Sequence, residues 1–132
     1  MKKIDYINKF GNSVYEATEY AKSLYPEYPV KPVKPTIRNP KSPSPVDHRD
    51  YATVLEKYEQ EMAEWKIKRD EYQSYSNKIN SELIEYIKEV AGLNTIPEKF
   101  REKVWKKAYE DGHACGYTEV YNHLLDLVDI FN

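Results

Sequence analysis

Residues 26–35 read PEYPVKPVKP, with Pro26, Pro29, Pro32 and Pro35 at every third position. A polyproline II helix turns once per three residues, so these four rings form a single straight ridge. Pro40, Pro43 and Pro45 prolong a rigid, helix-free stretch as far as Val46. Asp47 is a good N-cap, and from there to Ala91 neither Gly nor Pro occurs. That predicts one unbroken helix over 47–91, about 66 Å long. Along its first half Tyr51, Tyr58, Trp65 and Tyr72 recur at intervals of seven, with Leu55 and Met62 between them. The proline repeat spans about 28 Å and the aromatic repeat about 31 Å. Laid antiparallel, Pro35 meets Tyr51, Pro32 meets Tyr58, Pro29 meets Trp65 and Pro26 meets Tyr72. Flat proline rings then stack on aromatic faces while each tyrosine hydroxyl stays wet.

Residues 26–72 resemble, in packing alone, the hairpin of the pancreatic polypeptide and neuropeptide Y family, where prolines interleave with helix tyrosines. The run Tyr51-Ala52-Thr53-Val54-Leu55-Glu56-Lys57-Tyr58 is locally similar to that family's helix. The resemblance implies a shape and no hormonal activity.

Outside this region the pattern is helical as well. Val14, Ala17, Ala21 and Leu24 recur at helical spacing, and Ser13 with Glu16 fits a capping box, which predicts a helix over 13–24. The stripe of the long helix continues through Tyr72, Ser76, Ile79, Leu83, Tyr86 and Val90 at steps of four and three, a seam that needs a helical partner. Gly92 stops that helix, and Thr95-Ile96-Pro97-Glu98 announces another, expected over 96–131 and folded back antiparallel on residues 72–90. The expected fold is all-α, an elongated helical hairpin in a single domain 1–132, with a polyproline II ribbon (26–46) packed antiparallel on a long central helix.

Composition narrows the functional classes. The chain has 132 residues with 32 % charged residues, four Gly and one Cys. Those counts exclude a disulfide scaffold and a four-cysteine zinc module. No uncharged run approaches the roughly 20 residues that span a bilayer, and no secretory signal follows Met1, so a cytoplasmic protein is expected. Charge is unevenly placed. Between Glu27 and Asp47 there is no acid, while Lys31, Lys34, Arg38 and Lys41 fall there. After Lys107 there is no Lys or Arg, and Glu110, Asp111, Glu119, Asp126 and Asp129 dominate. Such asymmetry can orient two copies or an acidic partner. A pI near 6.0 argues against nucleic acid as the partner of the basic ribbon Lys31, Lys34 and Arg38.

The densest knot of functional residue types is Gly112-His113-Ala114-Cys115-Gly116-Tyr117-Thr118-Glu119. Two glycines inside one helix cost about 2 kcal/mol relative to alanine, so close helix packing or a bound ligand should offset them. Gly112, His113, Cys115, Gly116, Tyr117 and Glu119 are the expected contact surface. Cys115, Glu119 and His123 would share a helix face, but His-x-Cys in a helix points its side chains apart, and no HExxH or CxxC pattern exists. Neither a metal site nor a cofactor is expected. A Cys115–His nucleophile lacks an orienting third residue, so no enzyme activity is expected.

The run Ala108-Tyr109-Glu110-Asp111-Gly112-His113 through Glu119-Val120-Tyr121, following a proline-rich segment and a long tyrosine-bearing helix, resembles small proteins of tailed bacteriophages. That resemblance, over residues 26–131, implies an accessory factor acting in the host cytoplasm. The expected function is therefore protein–protein interaction, with a host protein as partner and self-association into a homo-oligomer. The alternative is a binder of a small, nucleotide-type ligand held by Tyr109, His113, Tyr117 and Glu119 of facing protomers.

Overall fold

Ser44 and Asp47 make the reciprocal bonds that start the longest element of the protein. In the computed structural model, which describes residues 1–132, the Ser44 backbone N–H donates to Asp47 Oδ2 at 2.9 Å, and the Asp47 N–H donates to Ser44 Oγ at 3.1 Å. This is a capping box, with Pro45 in the first helical position, where a missing N–H costs nothing. The cap is thus Ser44 rather than Asp47, and the helix begins two residues earlier than expected. Asp47 is buried, and its carboxyl is held below the usual carboxylate range, first by the Ser44 N–H, with the Ser44 hydroxyl, Asn39 and Arg38 adding to that pull.

The fold is all-α. Five helices follow in order: α1 (Lys3–Phe10), α2 (Val14–Ser23), α3 (Pro45–Val90), α4 (Glu98–Gly112) and α5 (Tyr117–Phe131), with 3-10 turns at Leu93–Thr95 and His113–Cys115. The chain divides into two compact units, residues 1–25 with 76–132, and residues 26–75. The boundary falls inside the continuous α3. No helix is long and apolar enough to cross a membrane.

In the unit of residues 26–75 the ribbon lies antiparallel on α3. Trp65 Nε1 donates to the Pro29 carbonyl at 3.0 Å, the pairing that the two repeats predict. At the next aromatic position Tyr28, rather than Pro26, meets the Tyr72 ring, edge-on at 5.1 Å. Toward the other end, Thr36 and Arg38 share a small cavity with Tyr51. Exposure follows the three-residue period of polyproline II: Pro29, Pro32 and Pro35 are half-buried, while Val30, Lys31, Val33 and Lys34 are exposed. On the helix, Tyr51, Leu55, Tyr58, Met62, Trp65, Arg69 and Tyr72 are the sheltered positions, at alternating steps of four and three. Lys31 and Arg69 place their cations 5.6 and 5.1 Å from the Trp65 ring centroid.

In the other unit, the second half of α3 buries Ile79, Leu83, Tyr86 and Ile87 in a core shared with Tyr6, Val14, Ala17, Ala21, Val104, Ala108, Val120, Leu124 and Val128. The seam therefore joins a core to which four other helices contribute, where one partner helix was expected. Residues Lys3–Phe10 form the helix α1. It sets the Tyr6 ring 5.3 Å from the Tyr86 ring, whose hydroxyl donates to the Gly11 carbonyl at 2.8 Å. Ser13 occupies the N-cap of α2 but makes no side-chain cap bond, so its expected box with Glu16 does not form.

The expected single helix over 96–131 is broken. Helix α4 ends at Gly112, a short 3-10 turn follows, and α5 returns alongside α4. Two glycines explain the break. A Cβ on Gly112 would lie 2.6 Å from the Val120 backbone nitrogen, so only glycine lets α5 come this close. Gly116 takes φ 99°, a conformation L side chains avoid, and starts α5 as its N-cap. The glycines end one helix and begin the next, so the mid-helix penalty inferred from their spacing does not arise.

Candidate functional site

The corner between α4 and α5 collects the aromatic and polar side chains expected there. Tyr109, His113, Gly116 and Tyr117 line an open cavity of about 180 Å³. The Tyr109 and His113 rings stack at 5.2 Å with 13° between their planes. His113 Nδ1 lies 3.0 Å from the Tyr109 carbonyl, a bond that fixes the imidazole against the last turn of α4. Tyr117 is half-buried in the first turn of α5. Burial pushes its hydroxyl above the ordinary tyrosine value, with Tyr109 and Tyr25 adding to the shift, so it stays a proton donor through neutral pH. Tyr25 is held in turn by a hydrogen bond from its hydroxyl to Asn80 Oδ1.

The break rearranges the expected contact surface. His113, Gly116 and Tyr117 converge on the cavity, joined by Tyr109. Gly112 does not, because it is buried in the contact between α4 and α5. Cys115 is exposed on the 3-10 turn and shares no helix face with Glu119 and His123. Glu119 instead faces His123 on α5, with Oε2 3.7 Å from Nε2. No group of three His, Cys, Asp or Glu side chains is placed to hold a metal ion. The ribbon cations lie in the unit of residues 26–75. Lys34 is exposed, Lys31 leans on Trp65, and Arg38 lines a cavity of about 140 Å³ with Asp47, Asp50 and Tyr51. A larger open groove, about 530 Å³, runs beside the ribbon between Pro29–Val33 and Glu61, Glu64, Trp65 and Lys68.

Sequence reasoning missed Tyr25 as a neighbour of the cavity. Its place directly before the first ribbon proline restrains its backbone toward extended geometry but does not point its side chain to the corner.

Fold and site together define an all-α protein whose candidate site is an aromatic corner between two antiparallel helices. The chain belongs to a family of unknown function (DUF8546), whose model matches residues 22–132. No curated protein and no solved structure matches it.

Proposed function

We propose that this chain is a non-enzymatic interaction protein, a phage accessory factor that works as a homo-oligomer in the host cytoplasm and modulates a host protein through the α4–α5 corner. One observation carries the reading. Tyr109, His113 and Tyr117 surround a shallow cavity at a corner stiffened by the close approach of two helices, with Tyr109 41 % exposed. Rigid aromatic side chains left half-open are what protein partners use as anchors, because they bring area at little entropic cost. The phage resemblance of the same run is what directs the partner to a host cell.

The test is capture from host lysate by the wild-type chain and by a Tyr109→Ala/His113→Ala variant of unchanged helical content. Retention of one host polypeptide by the wild type and its loss in the variant is the expected result. Equal capture by both chains removes the corner from the interaction.

A second reading, a small planar ligand of nucleotide type, draws on the Tyr109–His113 stack, which a third flat ring could extend. The cavity of about 180 Å³ is smaller than the roughly 300–1,000 Å³ of ordinary ligand pockets, which favours the first reading. Native mass spectrometry separates the two, since a ligand adds a few hundred daltons per chain where a host protein adds a polypeptide.

A further inference from the structure

The ribbon and α5 carry exposed apolar side chains flanked by charges of opposite sign. With its prolines turned to α3, the ribbon leaves Val30 91 % and Val33 89 % exposed, flanked by exposed Lys31 and Lys34. Nothing acidic lies between residues 28 and 46, and Glu61 and Glu64, which line the groove beside the ribbon with Lys31, form no ion pair with it. The outward side of α5 shows Leu125 and Ile130, 37 % and 78 % exposed, with exposed Asp126 and Asp129 between and beside them. No Lys or Arg follows Lys107 anywhere in the chain. No ion pair of the protein involves Lys31, Lys34, Asp126 or Asp129. The two aspartates also sit toward the C-terminal end of α5, where the last turn has no basic residue and the helix dipole already disfavours negative charge.

We propose that copies of this chain associate head to tail, the Val30/Val33–Lys31/Lys34 face of one copy docking on the Leu125/Ile130–Asp126/Asp129 face of α5 in a second copy. Val30 and Val33 are about 9 Å apart on one ridge of the polyproline II ribbon, whereas Leu125 and Ile130, five residues apart, lie about 140° apart around α5 and flank Asp126 and Asp129 on opposite edges of its outward face. The flexible lysine stems therefore reach the aspartates at the centre of that face, with the valine ridge packed against one of its apolar edges. The docked cations sit at the end of α5 that favours them. Because the two faces differ, the contact is heterologous, and it closes into a ring or continues as an open chain according to its rotation. The inference rests on the homo-oligomer half of the proposed function and leaves the host contact at the α4–α5 corner independent of it.

Sedimentation velocity of the full chain over a concentration series tests the proposal. The series is run at about 0.01 M and about 1 M ionic strength, between which the screening length falls from roughly 30 Å to roughly 3 Å. Concentration-dependent association at low salt that weakens at high salt is expected. Lys31→Glu/Lys34→Glu and Asp126→Lys/Asp129→Lys, all at exposed positions, should each be monomeric with unchanged circular dichroism. Mixed in equal amounts they should associate again, because the reversed faces match. A wild type that stays monomeric at low salt overturns the proposal. So does association that survives either charge reversal, or a mixture that fails to recover it. Since neither variant alters Tyr109, His113 or Tyr117, host capture by the monomeric variants separates failure of this contact from failure of the corner.

Discussion

The two compact units of this chain hold themselves together by different physics. In the unit of residues 1–25 and 76–132, Tyr6, Tyr86, Ile87, Ile96, Val120 and Leu124 are almost completely removed from water. In the unit of residues 26–75 the one buried apolar side chain is Trp65. The first unit is a core in the ordinary sense, where buried area supplies most of the free energy. The second is a ladder: half-buried prolines, tyrosines and methylene stems along one helix, each contributing little. What makes the ladder feasible is the ribbon itself. A proline-rich strand is already extended before folding, so docking it freezes few degrees of freedom. Fixing one unit by area and the other by preorganisation has a consequence for mutation. Losses in the core should be large and concentrated, whereas losses on the ladder should be modest and spread along it.

Tyr86→Ala should show the largest effect. It empties the middle of the core, breaks the bond to the Gly11 carbonyl and removes the partner of the Tyr6 ring. A cost of about 3–5 kcal/mol is expected, read as a fall in thermal midpoint by circular dichroism. A cost under 1 kcal/mol would erase the contrast between core and ladder. Next is Gly112→Ala. The new Cβ would meet backbone atoms of Glu119 and Val120, which cannot rotate away, so about 1–3 kcal/mol should be lost as α5 is pushed off α4. Because Gly112 is closed off inside the chain, the loss should be the same with or without host lysate.

On the ladder, Pro29→Ser with Pro32→Ser should cost only about 1–2 kcal/mol, mostly by loosening the unfolded chain. Its signature is local. Trp65, whose indole N–H donates to the Pro29 carbonyl, should become more exposed and shift its fluorescence to the red. An unchanged emission maximum would mean that the prolines do not shelter the indole.

The same contrast decides how much of the fold is legible in the sequence. The ladder was legible because both of its sides are periodic: prolines at three and aromatics at seven admit one antiparallel register, and Trp65 on Pro29 is the register found. The core was less legible because it is assembled from distant pieces. Lys3–Phe10 has only Ile4, Ile7 and Phe10 to suggest a helix, yet its buried residue is Tyr6, which no apolar stripe marks. The corner was half legible. The glycine spacing pointed to close packing, correctly for Gly112, but a pair four apart fits an uninterrupted helix face equally well. Only the positive φ of Gly116 distinguishes a corner from a smooth helix, and backbone angle is not written in residue type. Breaking the helix moved Cys115 and Glu119 away from the set and left Tyr109, His113, Gly116 and Tyr117 around the cavity.

The smallest predicted effect lies at Tyr6, and it tests whether the core is as dry as its burial implies. The Tyr6 hydroxyl is buried and has no hydrogen-bond partner, and its pKa is pushed up to about 12, mainly by burial and then by the Glu82 charge. In the unfolded chain the phenol releases its proton near pH 10, whereas in the folded protein it holds that proton to about 12. Unfolding therefore releases a proton between these values. The stability linked to Tyr6 is complete below pH 10 and is lost as pH rises toward 12. Tyr86 and Tyr117, whose hydroxyls are also raised by burial, add to the alkaline loss in the same direction. Tyr6→Phe removes an unpaired buried hydroxyl while keeping the ring that packs on Phe10, Tyr20 and Tyr86. It should leave the protein as stable at neutral pH or about 1 kcal/mol more stable. It should also flatten, without abolishing, the decline in denaturant midpoint between pH 10 and 12. A destabilised Tyr6→Phe with an unaltered alkaline profile would mean that the hydroxyl is solvated in solution, and that the core opens to water at α1.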